Sequence, residues 1–283
     1  MKKRRGKLVA GLAVSALFLM GAALWFMRPD LQFRVRDAWH GVTDSMDRQV
    51  LDLKPEDLEQ KEVTELNRQN CLVLINEEYP AGETYETQLV KYKETEVLMA
   101  PEAVDAFSAL SVAVKEETGD TLYIRDSYRS YDEQVQVYAE EPEVAALPGS
   151  SEHMTGLAFD VYVSGFAGYG FIKSEAGQFV NENCWKYGFI IRYPQFGKSA
   201  TRIPYEPWHI RYLGLPHSEY IYRNHLTLEE YLEGLETGKF YQTGDYLVSL
   251  QEGDMLQIPR QAAEVTVSPD HRGGWIVTCQ WKE

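Results

Sequence analysis

Cysteine is scarce in this chain: Cys71, Cys184 and Cys279 are all that its 283 residues contain. Three thiols cannot all pair within one chain, and no CxxC spacing occurs, so a disulfide framework and a Cys-based zinc ribbon are both disfavoured. Cys184 falls on the apolar side of an expected helix and reads as core filler. Neither SxxK nor GxSxG is present; Ser111 stands four residues before Lys115, not three. A serine nucleophile of the penicillin-binding or hydrolase-elbow kind is therefore disfavoured. Internal repeats and low-complexity tracts are absent as well, which removes solenoids and arrays. Histidine is rare, with six residues, so the position of each one carries weight.

Positive charge is also in short supply. The chain has 28 Lys and Arg against 43 Asp and Glu, a formal charge of −15. Residues 1–28 hold six of the basic residues and no acidic one, so the remainder stands six units lower, at −21. A body this acidic repels nucleic acid and anionic lipid, and neither is expected as a partner. Apolar content of 44% and aromatic content of 12% are ordinary for a globular protein, so the bulk of the chain folds.

A long uncharged run is present only at the start. "MKKRRGK" is followed by Leu8–Met27, 20 residues without a charge. Such a run spans about 30 Å of hydrocarbon as a helix. The basic cluster before it places the following chain outside the cytoplasm. A cleaved secretory signal ending near Gly21-Ala22-Ala23 is the competing reading, and it too exports the rest. The run continues through Leu24, Trp25, Phe26 and Met27, which favours a retained anchor and a single-pass membrane location.

Beyond the anchor, residues 29–64 are polar and charged and read as a partly helical stalk. Residues 65–239 read as the main domain. "CLVLINEEYP" opens with an apolar run expected to be its first strand. "APEAVDAFSALSVAVKEETG" is a helix with Pro101 in its first turn, an apolar stripe of Val104, Phe107, Leu110 and Val114, and a stop at Gly119. "TLYIRDSYRSYDEQ" reads as a strand, a loop with Arg129, and a helix from about Asp132. In "GLAFDVYV" Leu157, Phe159, Val161 and Val163 face one side while Asp160 faces the other. Ser174–Tyr187 reads as a helix capped by Ser174 and stopped by Gly188. "FIIRYP" and "WHIRYL" read as strands, and "TLEEYLEGLETG" as a closing helix. Residues 240–283 carry short β-type runs and read as a small β appendage. The expected class is α+β: a small antiparallel sheet with flanking helices, an N-terminal transmembrane helix before it and the appendage after it.

Two stretches bring chemistry together. "SSEHMTGLAFDV" supplies His153 and, seven residues later, Asp160. "EPWHIRY" supplies Glu206 and His209. Two imidazoles and a carboxylate can hold a zinc ion and leave a fourth position for water, while a further carboxylate takes the proton. Pro207 biases Glu206 to an extended backbone. Glu206 and His209 are thus expected on a strand or bulge, not on one helix face. His40, His217, His225 and His271 lack partner motifs and read as surface or packing residues. Arg192 reads as structural or as pocket support.

The motifs "SEHMTGLAFD" and "EPWH", with "SYRSYDEQ" upstream, resemble the zinc D-alanyl-D-alanine carboxypeptidases of the VanY type. Their relatives include VanX dipeptidases and bacterial cell-wall L,D-carboxypeptidases. The resemblance covers about residues 65–239, with three separated motifs in family order. It implies a Zn2+ cofactor held by His153, Asp160 and His209, with Glu206 as general base. It also implies substrate contacts from Arg129, Ser151 and Gln134. Arg129 would clamp the C-terminal carboxylate or steady the oxyanion. The implied substrates are peptidoglycan stem peptides. A cell-wall peptide-binding module on the same scaffold and an L,D-carboxypeptidase are the alternatives. Met154 and Asp126 depart from the family pattern and leave substrate preference open.

Overall fold

The computed structural model describes residues 28–143 and 145–281. The run Leu8–Met27, read above as a membrane span, lies outside them. Among the described residues no helix is long and apolar enough to cross a membrane.

An antiparallel four-stranded sheet carries the motifs. Its strands are β6 (Tyr123–Asp126), β7 (Ala158–Tyr162), β8 (Phe189–Ile191) and β9 (His209–Tyr212), in the order β6-β7-β9-β8. Alternation decides its two faces. Phe159, Val161 and Ile210 turn into a core with Phe107, Leu110 and Val114 of helix Pro101–Thr118 and with Val180 and Cys184. Asp160 takes the other face, as its place between two apolar residues requires. The helix ends are chemically marked. Pro101 sits in the first turn, and Gly119 closes the helix in the left-handed region at φ 76°. The hydroxyl of Ser130 caps helix Tyr131–Glu140 in a reciprocal box with Glu133, and Ser174 caps helix Glu175–Asn183 by accepting from Gly177 N. The α+β class holds.

Two features differ from the sequence reading. The apolar run Cys71–Ile75 is buried but forms no strand. Its backbone groups go to side chains and isolated carbonyls instead. Arg211 Nη2 donates to the carbonyls of Cys71 at 3.1 Å and Val73 at 2.9 Å, and the amide of Leu72 donates to Ser268 Oγ.

The second difference concerns the segments read as stalk and appendage. Strands β1 (Gln49–Leu51), β3 (Asn67–Arg68), β10 (Phe240–Thr243), β11 (Tyr246–Glu252), β13 (Ala263–Pro269) and β14 (Gly274–Gln280) form a six-stranded sheet in the order β1-β10-β11-β14-β13-β3. In addition β2 (Leu58–Glu62) pairs with β12 (Met255–Pro259), and β4 (Val90–Lys91) with β5 (Leu98–Met99). Residues 49–68 therefore do not stand free but pair with the C-terminal strands. Helix Pro29–Thr43 also docks, through buried Phe33 and an Arg36–Glu182 ion pair of 2.9 Å.

The C-terminal sheet is in turn part of the body. Tyr241, Val248, Leu250 and Ile276 pack in one buried cluster with Leu72, Leu74, Ile221, Leu228 and Leu232. Covering those side chains is worth about 1.5–3 kcal/mol each, so the sheet and the helix Leu228–Glu233 stabilise each other.

A buried ion network ties the same elements to the motif strands. Glu152 Oε1 meets Arg192 Nε at 2.8 Å and Arg211 Nη1 at 3.0 Å. Arg192 also grips both oxygens of Glu229, at 2.8 and 2.6 Å. Arg192 and Arg211 are wholly inaccessible to solvent.

Two outcomes follow. Deleting residues 240–283 uncovers Leu72, Leu228 and Leu232, so the truncated chain should lose its cooperative thermal transition in calorimetry. A parent-like transition would make the sheet a separable module. Arg192→Leu leaves buried Glu229 without its cation and Glu152 with Arg211 alone, and should cost about 3–5 kcal/mol in denaturant unfolding; a loss below about 1 kcal/mol would show that the network carries little.

Candidate active site

The antiparallel register builds the site. Asp160 lies directly opposite His209 across β7 and β9, and opposite Asp126 across β6 and β7. Cross-strand partners share a face, so the three side chains stand in a row away from the core. His153 comes from the 3-10 turn Glu152–Thr155 just before β7. Gly156 closes that turn at φ 68°, where a Cβ would lie 2.6 Å from Leu89 Cδ2 and 3.0 Å from the Ala100 amide nitrogen. Only glycine fits both the backbone angle and that approach.

Glu206 enters from the turn ahead of β9. Its amide donates to the Tyr193 carbonyl at 3.0 Å, and the His209 amide donates to the Glu206 carbonyl at 3.2 Å. Asn181, buried on helix Glu175–Asn183, holds the following residue: its Nδ2 donates to the Pro207 carbonyl at 2.9 Å, and its Oδ1 accepts from Tyr205 Oη at 3.0 Å. His209 opens β9, whereas Glu206 comes from the turn ahead of it and not from the strand or bulge expected of it; the two share no helix face.

His153, Asp160 and His209 place one ligand atom each within 4.8 Å of one another. His209 Nδ1 is 3.0 Å from Asp160 Oδ1 and 3.7 Å from Glu206 Oε2; His153 Nε2 is 3.7 Å from Asp160 Oδ1. His153 Nδ1 lies 2.6 Å from the Ser127 carbonyl. A carbonyl only accepts, so Nδ1 carries the proton and the Nε2 lone pair faces the site. Asp160 Oδ1 is buried and lacks a hydrogen bond of good geometry. Two imidazoles and one carboxylate with an unsatisfied buried oxygen form a donor set that fits a zinc ion.

The electrostatics separate the carboxylates. Burial works against ionisation of Asp160, but contact with His209 and the charges of His209, His153 and Arg129 outweigh it and hold the carboxyl at about 2. Burial dominates at Glu206, and with the Asp160 charge it overrides His209 and pushes the carboxyl up to about 7. The imidazoles split too. Burial brings His153 down to about 4, with Asp160 opposing and His209 and Arg129 assisting. At His209 burial also disfavours charge, but Asp160, Glu206 and Glu152 raise it above its ordinary value.

The residues expected at the substrate fall into three situations. Arg129 follows β6; its backbone amide donates to the His153 carbonyl at 3.2 Å, and its guanidinium pairs with Asp126 and with Gln134 Oε1. Gln134 is fully buried, and its Nε2 donates to the Ala146 carbonyl at 2.7 Å. Its amide is spent on both sides, so it supports Arg129 from behind. Ser151 is buried at the start of the His153 turn and makes no capping hydrogen bond with its hydroxyl. Met154 packs on Val73, Ile75 and Ala81, away from the site.

A cleft of about 730 Å³ reaches Glu206, with Tyr138, Tyr169, Tyr193, Ser150 and Arg202 among its walls. Tyr169 stands edge-on to Trp208 at 4.8 Å, which braces the wall next to the turn. Sequence reading missed Asn181, Glu152 and Glu229. Asn181 and Glu229 belong to none of the three motifs, and Glu152, inside SEHMTGLAFD, carries no signal of its own beside His153.

Comparison with known proteins agrees with this geometry. Residues 96–215 match the family model described as VanY, D-alanyl-D-alanine carboxypeptidase. The chain is 37% identical over 191 residues to the putative carboxypeptidase YodJ of Bacillus subtilis (strain 168), covering 59% of this chain and 68% of that protein. Among solved structures, the LD-carboxypeptidase LdcB is 36% identical, with a TM-score of 0.55, covering 65% of this chain and 98% of LdcB. A D,D-pentapeptidase VanY from a VanB-type vancomycin-resistance cassette, solved with Zn(II), is 28% identical at a TM-score of 0.52, covering 57% and 98%. The three-residue cradle, the adjacent carboxylate and these similarities lead to one assignment: the chain belongs to the VanY-type family of carboxypeptidases.

Proposed function

We propose that this protein is a zinc-dependent carboxypeptidase that removes the C-terminal D-alanine from peptidoglycan stem peptides. The observation that carries the reading is Glu206. A site that only binds or stabilises needs no further carboxylate beside a three-residue cradle, and here one lies 3.7 Å from His209 Nδ1 at the edge of an open cleft.

Bound zinc supplies a Lewis acid that activates water and polarises the scissile carbonyl. His153, Asp160 and His209 would hold it, with His153 oriented by the Ser127 carbonyl. Glu206 takes the proton from the attacking water and returns it to the leaving amine. Arg129 supplies positive charge for the terminal carboxylate, and Gln134 fixes its direction. The likeness to LdcB supports a second reading, an L,D-carboxypeptidase acting on tetrapeptide stems. Separate incubation of penta- and tetrapeptide muropeptides, followed by mass spectrometry, distinguishes the two bonds.

We also infer that residues 8–27 hold the protein at the cytoplasmic membrane with the body outside. The charge asymmetry around that run supports this. So does helix Pro29–Thr43, where Leu31, Val35 and Trp39 are 41%, 51% and 70% exposed. They are spaced four residues apart on one face, and an outward tryptophan suits a membrane interface.

Glu206→Gln keeps the shape of the side chain but cannot take the proton. Turnover should fall about 10²–10⁴-fold with zinc content unchanged, whereas His209→Ala should lose zinc. Near-normal turnover in the first, or full occupancy in the second, would refute the assigned roles. For the anchor, fractionation with N-terminal sequencing should find the intact chain in membranes. A mature chain beginning near Leu24 in the medium would replace the anchor with a cleaved leader.

A further inference from the structure

Arg129 is gripped from two sides, and the grips are unlike. Its Nη1 donates to Gln134 Oε1 at 2.7 Å. That amide is neutral, fully buried and fixed in turn on the Ala146 carbonyl. Its Nη2 pairs with the carboxylate of Asp126, whose side chain is 32% exposed against 18% for Arg129. The register sets Asp126 opposite Asp160 across β6 and β7. A second carboxylate therefore stands beside the one assigned to the metal, and Arg129 is the cation next to both.

We propose that Asp126 is a specificity-determining residue: it occupies part of the Arg129 guanidinium and thereby sets how tightly the C-terminal carboxylate of a peptide is held. This rests on the carboxypeptidase reading above. A guanidinium offers five N–H donors in a planar fork, and a bidentate carboxylate takes a parallel pair of them. With Nη1 spent on Gln134 and Nη2 on Asp126, an incoming carboxylate shares the fork or displaces Asp126, and in either case meets its charge. A peptide whose C-terminus is neutral meets no such opposition. The preference for a free carboxylate is thus narrower than Arg129 alone would give.

Asp126→Asn separates charge from position. The amide oxygen can still accept from Nη2, and Gln134 keeps its grip, so Arg129 stays where it is. The test uses zinc-loaded full-length protein. Dissociation constants are measured by calorimetry in the Glu206→Gln background, with an acetylated peptide ending in D-alanyl-D-alanine and with its C-terminal amide. Loss of one unit charge a few ångströms from the bound carboxylate should tighten the free-carboxylate peptide about tenfold and leave the amide unchanged. In the active enzyme the gain should appear as a lower KM, not a higher kcat. With Arg129→Ala also present, the gain should vanish.

Equal affinity of the parent and Asp126→Asn for the free-carboxylate peptide overturns the proposal. So does equal tightening of both peptides, which would mark a general charge effect, and so does weaker binding of both, which would make Asp126 a strut. Turnover of the free-carboxylate peptide by the parent reports separately on the reaction itself. A parent that binds without cleaving would refute the function proposed above and leave the affinity comparison to decide the role of Asp126.

Discussion

Four charges with almost no access to water govern this structure: Glu152, Arg192, Arg211 and Glu229. Ions taken out of water each lose several kcal/mol of solvation, which only close and well-placed partners recover. Each of these four has such partners, and the partners lie on different elements. Glu152 precedes His153, Arg211 follows His209 by two residues, and the Arg192 amide donates to the His209 carbonyl at 3.1 Å. Glu229 brings in the helix that packs on the C-terminal sheet. No one of these elements can shift without leaving a charge buried and unpaired. The geometry of the candidate metal cradle is therefore held by buried charges, of which Arg192 and Glu229 also reach the wall of the cleft.

This arrangement also explains why the C-terminal strands are not an attachment. Arg211 takes the Cys71 and Val73 carbonyls, so the Cys71–Ile75 run serves as a wall between two sheets. One side leans on the motif strands through Arg211. The other meets the six-stranded sheet, where Ser268 Oγ accepts from Leu72 N and the Asp270 carbonyl accepts from Leu74 N. Apolar side chains of both parts then close over it. A chain segment satisfied in this way needs neighbours on both sides, and residues 240–280 supply those on one side.

What could be read from the sequence was what depends on local chemistry or on a fixed motif. Pro101, Gly119, Ser174 and Gly188 mark helix ends through backbone geometry, which neighbours alone determine. The alternation around Asp160 sets its face whatever the rest of the chain does. His153, Asp160, Glu206 and His209 were legible because a zinc hydrolase site needs that set of groups, and the structure brings them together. What was not legible depends on distant partners. Gln49–Leu51 is only three residues long and Leu58–Glu62 is largely polar, so their own pattern says little; pairing with Phe240–Thr243 and Met255–Pro259 creates them. Cys71–Ile75 has the composition of a strand, but Arg211 supplies the donors a neighbouring strand would have given. Gln134 belongs to a recognisable motif, yet its role turns on the Ala146 carbonyl, twelve residues away.

The division of labour between the two carboxylates follows from their surroundings. Asp160 is met by two imidazoles and by the field of Arg129, so its ionised form is favoured in spite of burial. Glu206 is nearly as enclosed, but it has only the longer 3.7 Å approach of His209 and sits within the field of Asp160. Two like groups in one site cannot both ionise cheaply, and the one with fewer compensating contacts is the one pushed up. A low carboxyl suits a permanent ligand; one near neutrality suits proton transfer. The strand register and the turn at Pro207 create this difference in surroundings. The ligand and base roles proposed above follow that difference, which is in place before any substrate enters the cleft.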